Sequence, residues 1–100
     1  MEYIEIDKDE IPYRFTIDLA DEEFEFEINY NNRFDFFTID LYKDGRTLVV
    51  GEKLILDRPL FTDLVDIELP KVTITPKDRS NNETRITYDN LEKTAFLFVE

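Results

Sequence analysis

One hundred residues carry 24 acidic and 12 basic side chains, a formal charge of −12, and neither cysteine nor histidine. The missing thiols and imidazoles exclude disulfides, thiol nucleophiles, histidine bases and the usual zinc sites, and the charge opposes binding to nucleic acid or to an anionic membrane. A chain this short buries only about two-thirds of the surface its unfolded form exposes, so its nine Phe and five Tyr are the main material for a core.

The opening "MEYIEIDKDE" has neither the basic nor the apolar region of a signal peptide, and no apolar run approaches the length of a membrane-spanning helix. A chain made in the cytosol and soluble there is the expectation. "YRFTIDL" then alternates Tyr13, Phe15, Ile17 and Leu19 with Arg14, Thr16 and Asp18, the period of a half-buried strand. "FEFEINY" repeats the pattern with Phe24, Phe26, Ile28 and Tyr30 against Glu25, Glu27 and Asn29. Between them, a four-residue loop from Ala20 to Glu23 would set Leu19 opposite Phe24 and hold both apolar sets on one face.

The stretch "NYNNRFDFFTIDLYKDG" supplies a corner and a third strand. Asn31 and Asn32 suit a turn because Asn tolerates left-handed backbone. The Arg33 fork could pin carbonyls or a carboxylate such as Asp35, so the corner reads as structural rather than as a ligand site. Asp44 and Gly45 mark a two-residue hairpin turn, since a type I′ turn needs positive φ at both central positions. Pairing outward from it sets Leu41 opposite Leu48 and Ile39 opposite Val50, on one face with Phe37. Phe36, Thr38, Asp40 and Tyr42 take the other face, whose two aromatics call for cover by a second sheet or by a partner.

Beyond Gly51 the pattern weakens. "EKLIL" can continue as a strand before "DRPLFTD", where Pro59 blocks ladder pairing and indicates an edge or a crossing loop. "VTIT" is a short strand bounded by Pro70 and Pro76, "KDRSNNE" a polar loop, and "TRITY" a further strand. "YDNLEKT" is the one helical candidate, a single turn. "AFLFV" is apolar on both faces, as suits a strand buried between layers or docked on a neighbour, with Phe96 and Phe98 as contact residues. Seven or eight short strands without a linker or repeat give one all-β domain over residues 1–100, a small antiparallel β-barrel or a two-sheet β-sandwich.

Chemistry-bearing patterns are sparse. The acidic runs "DKDE" and "DEE" lack the ligand spacing and central glycine of a calcium loop and read as solvated turns. Scattered carboxylates do not define a glycosidase pair. Ser80, the single serine, has no histidine to activate it. No catalytic residue, metal, cofactor or small-molecule substrate is expected.

The segment "YNNRFDFFTIDLYKDG", followed by "GEKLI" and "RPLF", resembles the baseplate plug proteins of contractile-tailed phages and prophages, the type described from a cyanophage. The matching positions are Tyr30, Asn31, Arg33, Phe37, Asp40, Leu41, Tyr42, Asp44, Gly45, Gly51, Leu54 and the pair Pro59 and Leu60, within residues 13–61. Phe37 stands where many relatives carry Trp, and the N-terminal half is more acidic than the pattern requires. The resemblance implies a non-enzymatic subunit of the tail tip, made in the bacterial cytoplasm and assembled into the virion baseplate against hub and neighbouring tail proteins. It implies no nucleic-acid or membrane partner, and oligomerisation only within the assembly. Phe36, Tyr42, Phe96 and Phe98 are the candidate partner interface, with Asn31, Arg33, Asp44 and Gly45 as the structural corner. The strand edge near "AFLFV" is the place for strand addition. Other classes remain open on the residues alone: a carbohydrate- or protein-binding accessory module, and an acidic mimic of DNA.

Overall fold

The computed structural model describes residues 2–62 and 68–100; Met1 and residues 63–67, among them the Asp63 that closes the "DRPLFTD" stretch, lie outside them. The described chain forms seven strands: β1 (Glu2–Ile4), β2 (Tyr13–Leu19), β3 (Glu22–Asn31), β4 (Phe36–Lys43), β5 (Arg46–Lys53), β6 (Ile74–Asp78) and β7 (Ala95–Val99). They make two antiparallel sheets, one of three strands in the order β1-β7-β6 and one of four in the order β2-β3-β4-β5, and neither closes into a barrel. The two-sheet alternative is therefore the fold.

Period-two alternation dictates the packing. Phe24, Phe26 and Ile28 of β3 and Phe37, Ile39 and Leu41 of β4 all face inward and are essentially inaccessible. They meet Ile4, Ile74, Ala95 and Leu97 of the smaller sheet in a single cluster of buried side chains. Each such Phe, Ile or Leu contributes about 1.5–3 kcal/mol by leaving water.

The β2–β3 turn differs from the expected four-residue loop. Ala20 and Asp21 both take positive φ, 51° and 65°, a two-residue type I′ turn that sets Leu19 opposite Glu22 and Ile17 opposite Phe24. The apolar faces coincide all the same, because the shift is two residues and the side-chain period is two.

At the β4–β5 hairpin the Asp44-Gly45 turn forms, with φ of 50° and 77°, and pairs Lys43 with Arg46. Two register shifts follow, so Leu41 pairs with Val49 and Ile39 with Glu52 instead of Leu48 and Val50. Gly51 adopts a φ of +73° and its N–H donates to the buried Asp40 carboxylate at 2.7 Å. The bulges turn Val49 into the core and leave Val50 71% exposed.

The second half departs further from the sequence pattern. β5 ends at Lys53, although the Leu54 N–H still donates to the Phe37 carbonyl at 3.0 Å, and the chain then crosses between sheets with Leu60 and Phe61 buried. Pro76 lies inside β6 rather than ending it; β6 is an edge strand, where a missing donor costs no ladder bond. "TRITY" is a loop, not a strand. Its backbone is satisfied by a side chain: Asn90 accepts from the Thr87 N–H at 2.9 Å and donates to the Arg85 carbonyl at 2.9 Å. "YDNLEKT" forms turns, with the Asn90 carbonyl accepting from the N–H groups of Lys93, Thr94 and Ala95, each at 3.0 Å. Among the described residues the one helical element is a 3-10 turn at Lys8–Glu10, where the Asp7 carboxylate accepts the Asp9 N–H. β7 pairs with β1 on one side and β6 on the other, so its own edges are filled and the expected strand addition at "AFLFV" is overturned.

Candidate partner interface

Phe96 and Phe98 lie on the outer face of the three-stranded sheet, because Ala95, Leu97 and Val99 take the inner one. Pairing of Tyr3 with Phe98 brings a third ring to that face. Tyr3 sits 4.7 Å from Phe96 and 6.2 Å from Phe98, centroid to centroid, in tilted and edge-on arrangements that aromatic quadrupoles favour. The Arg79 guanidinium caps all three rings, 4.9 Å from Phe96, 5.4 Å from Phe98 and 5.7 Å from Tyr3. Phe98 is buried beneath this cover, whereas Tyr3 remains 41% exposed. Tyr3 and Arg79 are the residues that sequence reasoning missed. Ile4 and Ile6 in period two were the available signal for Tyr3, and nothing in the pattern marked Arg79.

Phe36 and Tyr42 lie on the outer face of the other sheet, on the far side of the sandwich from Phe96 and Phe98. No second sheet covers them among the described residues. Instead the Arg14 guanidinium sits 3.9 Å from the Tyr42 ring and the Lys53 ammonium 4.6 Å from Phe36. Arg14 also pairs with Glu27 at 3.3 Å and with Glu25 at 3.9 Å, so Tyr42 is held under a cation that its own acidic neighbours fix in place. The four candidate aromatics thus form two separate patches.

The corner is built differently from the expectation for Arg33. The Asn31 side chain accepts the N–H groups of Arg33 and Phe34 at 3.0 and 3.1 Å, an Asx turn. Arg33 itself is exposed and lies over the Phe34 ring at 5.3 Å. Arg85 does the pinning: its guanidinium donates to the carbonyls of Phe34 and Asp35 and sits 3.8 Å from the Asp35 carboxylate. The Tyr88 N–H, more than the Tyr30 hydroxyl, holds the Asp35 carboxyl below its ordinary value. Asp44 and Gly45 form their turn as described above.

Among the described residues no three carboxylates converge to hold a metal ion. Ser80 serves a loop: its hydroxyl and N–H both donate to Asp78, at 2.7 and 2.9 Å, and the N–H groups of Asn82 and Glu83 add bonds of 2.9 and 2.7 Å. Burial pushes the Asp78 carboxyl up, but these donors outweigh it and bring it to about 2. Glu92 is the opposite case, raised by burial despite the Ile6 N–H on one oxygen, with its other oxygen unpartnered. What these groups build is packing surface, strand edges and turns.

Over residues 1–100 the chain matches the family model described as "Cyanophage baseplate Pam3 plug gp18". The match extends beyond residues 13–61, where the resemblance in the sequence is carried, and a comparison with curated proteins finds no match.

Proposed function

The chain belongs to the cyanophage baseplate plug family, a family of phage-tail structural proteins, and from that premise we propose that it acts as a single, non-enzymatic β domain packed at the tail tip against hub and neighbouring tail proteins. The observation that supports this reading is the aromatic patch of exposed Tyr3 and half-buried Phe96 under Arg79, an anchor of the kind that interfaces bury. Phe36 and Tyr42 form a second contact on the opposite face. Synthesis takes place in the host cytoplasm, and the chain becomes part of the virion tail on assembly.

Mass spectrometry of gradient-purified tail particles tests the role. Peptides of this chain at a small, fixed ratio to the hub protein are the expected result; intact particles without the chain would overturn it. Tyr3→Asp tests the patch, with loss of incorporation expected while the isolated chain still folds cooperatively, at a somewhat lower midpoint. Normal incorporation of that variant removes the patch from the interface and leaves the tail-tip role to the particle analysis.

A further inference from the structure

Two sheets leave four strand edges, and three of them carry devices that block pairing. On β6, Pro76 removes a donor, and the crossing loop supplies bonds from the Asp57 N–H to the Pro76 carbonyl at 2.7 Å and from the Leu60 N–H to the Ile74 carbonyl at 2.8 Å. β5 is bulged twice. β1 is three residues long. β2 has none of these three: it runs seven residues in unbroken register with β3 without Pro or bulge, and its charged side chains, Arg14 and Asp18, are of opposite sign.

The turn at Ala20 and Asp21 fixes which groups of β2 are free. In a two-residue hairpin the flanking pair exchanges both hydrogen bonds, and such pairs alternate along the ladder. Leu19, Ile17, Phe15 and Tyr13 are thus bonded to β3, and the N–H and C=O groups of Arg14, Thr16 and Asp18 point outward. No strand among the described residues pairs with that side. Beside it runs a groove of about 350 Å³ between β2 and β1. Phe15, Ile17, Val72 and Val99 line it and are only half-buried, so the apolar face of β2 overhangs the smaller sheet. Glu2, Glu5 and Asp18, all exposed, also line it.

We infer that the β2 edge receives an extended segment of a neighbouring protein in which apolar and basic residues alternate. Its backbone pairs with Arg14, Thr16 and Asp18, its apolar side chains enter the groove beside Phe15 and Ile17, and its cations, sent to the other face by alternation, meet the exposed pair Asp18 and Glu23. A second copy of this chain is a poor occupant, because two chains of charge −12 repel. The source of the segment rests on the tail-tip role proposed above; the site itself rests on strand geometry.

The test uses the purified chain and a peptide of alternating valine and lysine, about ten residues long. Amide exchange at Arg14, Thr16 and Asp18 should slow by about tenfold or more at saturating peptide. Thr16→Pro, which removes an outward donor without touching a bond to β3, should abolish that protection, as should N-methylation of alternate peptide residues in a protein left unaltered. A valine–glutamate peptide should not bind. The inference is overturned by unchanged exchange at millimolar peptide, by equal protection in Thr16→Pro or by the N-methylated peptide, or by binding of the acidic peptide. Self-association that protects the same amides without peptide would also overturn it, in favour of a second copy. None of these outcomes bears on whether the chain cosediments with tail particles, so the two readings fail separately.

Discussion

Tyr30 and Asp35 are joined by a 2.8 Å hydrogen bond from the phenol to the carboxylate, and the same carboxylate oxygen accepts the Tyr88 N–H at 2.8 Å. One acidic side chain therefore ties the β3–β4 corner to a loop more than fifty positions away in the chain. The bond to Asp35 raises the Tyr30 hydroxyl above its ordinary value, while Asp35 is lowered, first by the Tyr88 N–H and then by Tyr30. A carboxyl lowered on folding adds stability above its ordinary value and loses it as pH falls through the lowered one. Asp35→Asn should lower Tm at neutral pH, and the gap to the parent should shrink towards acid. A gap independent of pH would show that the charge on Asp35 is not what holds the corner.

Asp78 gives a sharper acid window. Its carboxyl, ordinarily at 3.8, is brought to about 2 by donors from Ser80, Glu83 and Asn82. Its contribution is complete above about pH 4 and fades as pH falls towards 2. Ser80→Ala removes one donor, so chemical-shift titration should find the Asp78 carboxyl moved up towards its ordinary value, with the loop amides of Asn82 and Glu83 exchanging faster. An unmoved titration would mean that the backbone donors alone suffice.

Glu92 titrates with the opposite sign. Burial raises it, one oxygen takes the Ile6 N–H and the other has no partner. A carboxyl raised on folding favours the fold below its unfolded value and penalises it once pH passes the raised one. Glu92→Gln keeps an oxygen for Ile6 and removes the charge. It should therefore raise Tm at neutral pH, with the gain vanishing in acid, as thermal melts across pH would show; a loss of Tm at neutral pH would contradict this account.

How much of this was legible in the sequence depends on which force decides each element. Strands β2, β3 and β4 and their buried faces follow from strict alternation, and the Asp44-Gly45 turn from its positive-φ residues. The Ala20-Asp21 turn carries no such signature, since alanine resists left-handed backbone, and its form is imposed by pairing of the flanking strands. The bulges around Gly51 depend on the Asp40 carboxylate reaching a neighbouring strand, a contact no local pattern encodes. "TRITY" has strand propensity and finds no adjacent edge, so Asn90 satisfies its backbone instead. Arg85, not Arg33, pins the corner for the same reason: the partner comes from a distant loop. The outer aromatics were visible as residues, while their division between two faces, and the cations that cover them, came from topology.

The strained turn is itself testable. Ala20 at a φ of 51° and Asp21 at 65° occupy positions where Asn and Gly are favoured. Replacing the pair by Asn-Gly should stabilise the chain by about 1 kcal/mol, read as a higher denaturant midpoint with an unchanged slope. A destabilised variant would place the turn in another conformation.

Arg79 supplies the last prediction, because its cover over Tyr3, Phe96 and Phe98 has two separable consequences. The guanidinium attracts the ring faces, a contribution of about 0.5–2 kcal/mol according to how far the site is desolvated. Its stem and planar head also shield Phe98, which is 5% exposed at the centre of the group. Arg79→Ala should therefore lower the midpoint of unfolding and leave an uncovered apolar patch on the outer face of β7. Arg79→Met restores cover of Phe98 without charge and should recover part of the lost stability but not all of it. Sedimentation and denaturant titration of the two variants separate the effects. If both variants match the parent in stability, the stacking contributes nothing to the folded chain, and Arg79 is left as a residue whose position matters only to what docks on that face.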